Sequence, residues 1–139
     1  MPDQGVSVTY ERVGAGDAAT KGRLPVDDTV IEQLAGITDA QGYSVLGELL
    51  NAFLGAVPGR LDALDRAVSA GDLTAMADEA HALTGSAASF GARGMANLCR
   101  ELRAAAEQSD LDAARPLVAT LHVEFIGVRA WLVRFRSRA

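Results

Sequence analysis

The sequence predicts an all-α protein, an antiparallel four-helix bundle with a short extra N-terminal helix. Three observations lead there. Alanine and leucine dominate, aromatic residues make up only 5% and β-branched residues are sparse, a composition that favours helix over sheet. Apolar residues recur at three- and four-residue steps through several long stretches. Between the stretches stand adjacent stop and start residues, Gly71-Asp72 being the clearest pair. A chain of 139 residues is long enough for one hydrophobic core, so residues 25–136 read as a single bundle. Residues 1–24 are rich in Gly, Ala and polar types without a sustained period and read as a flexible N-terminal tail.

Asp27 or Asp28 can cap the short first helix, which runs through about Leu34 on a stripe of Val30, Ile31 and Leu34, with Gly36 beyond it. It reads as a lid on the bundle. A longer pattern extends from Tyr43 to about Ala70 through Leu46, Leu50, Phe53, Val57, Leu61, Leu64 and Val68, and Pro58 is expected to kink or split it. Asp72 caps the next helix, about Leu73 to Phe90, which should bury Leu73, Met76, Ala77, Ala80, Leu83, Thr84 and Ala87. Gly91 ends it. A fourth helix begins near Ala92 with Met95, Leu98, Cys99, Leu102 and Ala106 inward. Ser109 or Asp110 opens the last helix, whose seam of Leu111, Ala114, Val118, Leu121, Phe125, Val128, Leu132 and Phe135 is that of a bundle. Pro116 should perturb its first turns or delay its start.

Composition also excludes function classes. Net charge is -5, and Lys21 is the only lysine beside the arginines, which argues against sequence-independent nucleic-acid binding. The cluster Arg129, Arg134, Arg136 and Arg138 reads as a solvated last turn favoured by the helix macrodipole. A single cysteine, Cys99, provides neither a disulfide framework nor a thiolate zinc set. With no apolar run of the ~18 residues that a bilayer requires, and no secretory pattern at the N-terminus, the chain is expected in the cytoplasm and off the membrane. No Glu-x-x-His pair or Cys/His set offers a metal site. His122 has no motif around it and reads as a boundary residue. Asp78 and Glu79 read as solvated, with Asp78 placed to orient a neighbouring imidazole. Trp131 and Phe135 read as packing residues.

The informative residue is His81, in the run Ala80-His81-Ala82-Leu83-Thr84-Gly85-Ser86-Ala87-Ala88-Ser89-Phe90-Gly91-Ala92. It follows Ala80 by 100° of helical rotation, on the shoulder of the apolar stripe, and the positions around it are the small residues Ala77, Gly85 and Ala88. A glycine inside a helix costs about 1 kcal/mol relative to alanine, which suggests that another protein approaches the ring closely. Ala77 and Ala88 are thus candidate docking positions.

Ala80-His81, Leu83, Gly85-Ser86, Gly91-Ala92, Leu98-Cys99 and Leu102 fall in register with the pattern of the histidine-containing phosphotransfer (HPt) domain. With Phe53, Leu61, Leu64 and the Ala70-Gly71-Asp72 turn, the chain resembles that family over about residues 25–135. The resemblance implies a phosphocarrier rather than an enzyme in its own right. His81 would accept a phosphoryl group from a receiver-domain aspartyl phosphate and pass it to another receiver aspartate. The chemistry is sound, because free imidazole has a pKa of about 6.5 and is largely a neutral nucleophile near pH 7. Implied partners are response-regulator receiver domains and an upstream hybrid or separate histidine kinase. The chain would bind no cofactor, Mg²⁺ belonging to the partner receiver, and would act as a monomer.

Two positions depart from the pattern. Thr84 stands where the family usually has lysine, and Arg103 where it commonly has Glu or Gln. Thr84, Gly85 and Arg103 are the expected support of the phosphoryl site, with Arg103 restoring the missing cation from the neighbouring helix. The alternative reading is a helical adaptor that docks receivers without carrying phosphate.

Overall fold

The computed structural model describes residues 24–138 and shows five helices. They are α1 (Asp28–Ala35), α2 (Leu46–Ala70), α3 (Leu73–Ser89), α4 (Arg93–Glu107) and α5 (Leu111–Arg138). Of the expected tail, residues 1–23 lie outside the described residues. The long helices form a four-cornered bundle in which α2 packs on α3 and α5, α3 on α4, and α4 on α5. The helix carrying His81 therefore stands diagonally across from α5.

Local chemistry explains the boundaries. The Asp27 carboxylate caps α1 by accepting from the Thr29 amide at 3.0 Å. Asp72 does the same for α3, accepting from Ala75 N at 3.1 Å, and Asp110 for α5, accepting from Ala113 N at 3.0 Å. Gly71, at φ 69°, turns α2 into α3. Gly91, at φ 74°, turns α3 into α4, and its carbonyl accepts from Asp27 N at 2.8 Å, so this turn also seats α1.

Three expectations need correction. The second pattern does not become helix at Tyr43. Asp39 Oδ1 accepts from Gln41 N and Tyr43 N, Gly42 takes a positive φ, and one bridge joins Thr38 to Ser44, so residues 38–44 close a tight loop before α2. Pro58 does not split α2, because it lies on the exposed side while Phe53, Val57, Leu61 and Leu64 stay buried through the same turns. Pro116 neither delays nor breaks α5, which starts at Leu111.

The core joins the helices along the expected stripes, with Leu50, Leu64, Met76, Leu83, Met95, Leu102, Leu121 and Leu132 among its fully buried members. Burying a side chain of this size stabilises by about 1.5–3 kcal/mol. Leu73, Ala77, Thr84, Leu98, Leu111 and Phe135 are only half-buried, at the edges of those stripes. Cys99 is fully inside, and desolvation pushes its thiol up to about 12 against the lowering pull of Arg100, leaving an inert packing group. Trp131 and Phe135 stack at 5.3 Å. By length and hydropathy α5 could cross a membrane; Ala114, Val118, Leu121, Phe125, Val128 and Leu132 lie in the bundle core, while Val123 and Ile126 face outward.

Glu124 leans from α5 towards α4, where a Cβ on Gly94 would lie 2.7 Å from its Oε2. Burial raises its pKa, so ionising Glu124 is costlier in the folded chain than in the unfolded one. A carboxyl group whose folded pKa is raised contributes most in acid and loses that contribution as pH rises through the folded value. Glu124→Gln is expected to raise the thermal midpoint at pH 7 and to lose that advantage near pH 4. An equal gain at both values would show that ionisation is not the cause.

Candidate functional site

Ala80 is fully buried, which fixes the rotation of α3 and turns the next residue, His81, out to solvent. The ring meets α4. Arg103 Nη1 donates to His81 Nδ1 at 2.9 Å, and Arg103 Nε lies 3.2 Å from Glu107 Oε2 one turn further along α4. One guanidinium thus spans the carboxylate and the imidazole. Nε2 of His81 has no protein partner among the described residues.

Gly85 lies one turn beyond His81, exposed, and a Cβ built there would meet nothing within 4 Å. No internal contact demands glycine at this position. Ala77 is half-buried and Ala88 exposed, so Ala77, His81, Gly85 and Ala88 make one continuous strip in which the imidazole is the only large side chain. Ala88 also borders a groove of about 360 Å³ between α1, α3 and α4, lined by Val30, Gly91, Asn97 and Arg100. The strip and the groove meet at Ala88.

Thr84 shares the face of His81, yet its hydroxyl donates to Ala80 O at 2.8 Å. This back-bond within α3 commits its only proton, so Thr84 supplies neither a charge nor a free donor in this conformation. The cation beside His81 is Arg103. Asp78 is exposed, in line with its reading as a solvated residue, and it makes no hydrogen bond to the imidazole; Arg103 holds the ring. Glu79 remains partly exposed and also pairs across helices, since Arg60 Nη1 reaches its Oε1 at 2.8 Å and ties α2 to α3.

The sequence reading missed Glu107. Its signal was the spacing Arg103–Glu107, four residues apart on one helix face. His122 Nε2 lies 2.9 Å from Asp65 Oδ1, a contact between α5 and α2 remote from His81. No cluster of His, Cys, Asp and Glu among the described residues could hold a metal ion.

The Hpt domain family matches residues 48–131, a span that holds most of α2, all of α3 and α4, and α5 as far as Trp131. The chain belongs to the Hpt domain family. All of the candidate residues, Ala77, His81, Thr84, Gly85, Ala88 and Arg103, lie inside the matched span. The crystal structure of histidine-containing phosphotransfer protein B (HptB) from Pseudomonas aeruginosa PAO1 is similar, with TM-score 0.77 and 29% identity over 84% of this chain and 98% of that one. Curated proteins give no match. This Hpt protein is thus a histidine-containing phosphotransfer intermediate of a phosphorelay, built on the helical bundle that its sequence predicts.

Proposed function

We propose that His81 is the phosphoacceptor, taking the phosphoryl group from the aspartyl phosphate of one receiver domain and giving it to the aspartate of another. The observation that carries this reading is the exposed imidazole in a strip of small side chains, held by a guanidinium from the neighbouring helix. Phosphoryl transfer needs alignment and charge neutralisation more than covalent assistance. The bundle presents the nucleophile on a rigid helix, and Ala77, Gly85 and Ala88 let a partner approach. The receiver brings its acidic pocket and Mg²⁺. The chain then works as a cytoplasmic monomer, in trans with receivers and a hybrid or separate histidine kinase, and binds no cofactor, nucleic acid or membrane.

Arg103 takes the part of the absent lysine. Its fork of donors suits phosphate oxygens, and it already stands beside the ring, whereas Arg100 is bonded to Asn97 Oδ1 at 2.8 Å. Arg103→Ala is expected to shorten the lifetime of the phosphorylated protein several-fold more than Arg100→Ala does; equal lifetimes would remove Arg103 from the phosphoryl site. The reading as a whole is tested with labelled receivers, which should leave acid-labile, base-stable phosphate on the bundle at His81. A receiver that binds wild type and His81→Gln equally, with no label on either, supports a docking adaptor instead. Thr84 in place of lysine is the feature that favours that second reading.

A further inference from the structure

We propose that Arg103 locks the resting His81 in its unreactive tautomer, and that a docking receiver opens the lock by drawing the guanidinium away. This rests on the reading of His81 as phosphoacceptor and concerns how that site is regulated.

The argument needs only the inventory of protons. A guanidinium has donors and no acceptor, so in the 2.9 Å contact between Arg103 Nη1 and His81 Nδ1 the ring nitrogen must be the acceptor. A neutral imidazole has one N–H, which then sits on Nε2. The unpartnered nitrogen therefore has a proton where attack on phosphorus needs a lone pair, and the nitrogen with the lone pair is covered by Arg103. Neither can react. A side chain offering an acceptor at position 103 would set the opposite state, Nδ1–H with the Nε2 lone pair free.

The lock is braced and yet can open. Glu107 Oε2 holds Arg103 Nε at 3.2 Å, while the arginine side chain remains 46% exposed. The carboxylates of a receiver pocket can compete for it. Once Arg103 leaves, solvent moves the ring proton from Nε2 to Nδ1. Nε2 then attacks phosphorus, the bond from phosphorus to the aspartyl oxygen breaks, and the carboxylate departs with the electron pair while the proton stays on Nδ1. The freed guanidinium is at hand for the phosphoryl oxygens. Arg103 is thus a positioning residue that restrains His81 before transfer and assists it afterwards.

Two measurements on the full chain test this. In ¹⁵N-resolved NMR above the titration range of imidazole, wild-type His81 should show the Nε2–H tautomer with Nδ1 unprotonated, and Arg103→Glu should shift it to Nδ1–H. Phosphoramidate, a small donor without the carboxylate pocket of a receiver, should phosphorylate Arg103→Ala about tenfold faster than wild type, the population change that the net worth of one hydrogen bond produces. Labelling and loss are timed separately, because the same variant is expected to lose phosphate faster. Nδ1–H in the wild type, or an Arg103→Ala labelling rate no higher than the wild type's, overturns the lock. Equal labelling of His81→Gln and wild type instead overturns the reading of His81 beneath it, an outcome that the tautomer spectrum keeps distinct.

Discussion

Gly91→Ala is expected to destabilise the bundle by about 2–4 kcal/mol, lowering the urea midpoint, and to loosen α1. Two costs combine. Gly91 has φ 74°, a left-handed geometry that costs an L-residue about 1–2 kcal/mol. A Cβ there would lie 3.0 Å from Asp27 O and 3.0 Å from Val30 Cβ, and overpacking of this kind costs about 1–3 kcal/mol. Both obstacles belong to the cap and first turn of α1, which is seated by the bond from Asp27 N to Gly91 O and by the pair between Arg93 and Asp27. Amide exchange should therefore accelerate in α1 before the long helices respond. An unchanged midpoint would mean that α1 shifts freely over the α3–α4 turn and is not anchored there.

The same replacement at Gly85 is expected to do the reverse. Gly85 lies within α3, its Cβ would meet nothing within 4 Å, and alanine there should stabilise the helix by about 0.5–1 kcal/mol. The methyl group would, however, occupy the strip one turn from His81, where a receiver must close on the ring. Phosphotransfer from a receiver should fall about tenfold, the effect of a contact penalty of roughly 1.4 kcal/mol. Stability and transfer thus move in opposite directions. If both rise, or if transfer is unchanged, Gly85 lies outside the docking surface and its glycine has no functional reason here.

Much of this was legible in the sequence, because the signals that set the fold are local. Asp27, Asp72 and Asp110 do cap helices, Gly71 and Gly91 do turn the chain with positive φ, and the three- and four-residue stripes become the core. His81 on the shoulder of α3 followed from its step of one residue past Ala80. The failures came where a local rule met a tertiary constraint. Pro58 alone suggests a kink or split and Pro116 a perturbed or delayed start, yet α2 and α5 run on as single helices with their apolar residues buried along the core. Asp39 and Gly42 form a tight loop that the apolar pattern from Tyr43 concealed.

The candidate site divides in the same way. Its residue types were readable, but the bonds among them were not. That Thr84 bonds back to Ala80, and that Arg103 takes Nδ1 of His81 while Glu107 braces it, depends on how α3 and α4 face each other and on the rotamers chosen there. The family resemblance implied that Arg103 stands near His81; only the fold shows which ring nitrogen it occupies.

The most direct measurement is a pulse and chase through His81. Wild type and His81→Gln are incubated with a phosphorylated receiver, re-isolated, checked for folding by circular dichroism and mixed with a second, unlabelled receiver. Wild type should acquire acid-labile, base-stable phosphate mapping to His81 and deliver it to the second receiver, while His81→Gln stays folded, binds the receivers and neither acquires nor delivers label. Label that persists on His81→Gln, or wild type that binds both receivers and carries none, would contradict the assignment of His81 as the relay residue.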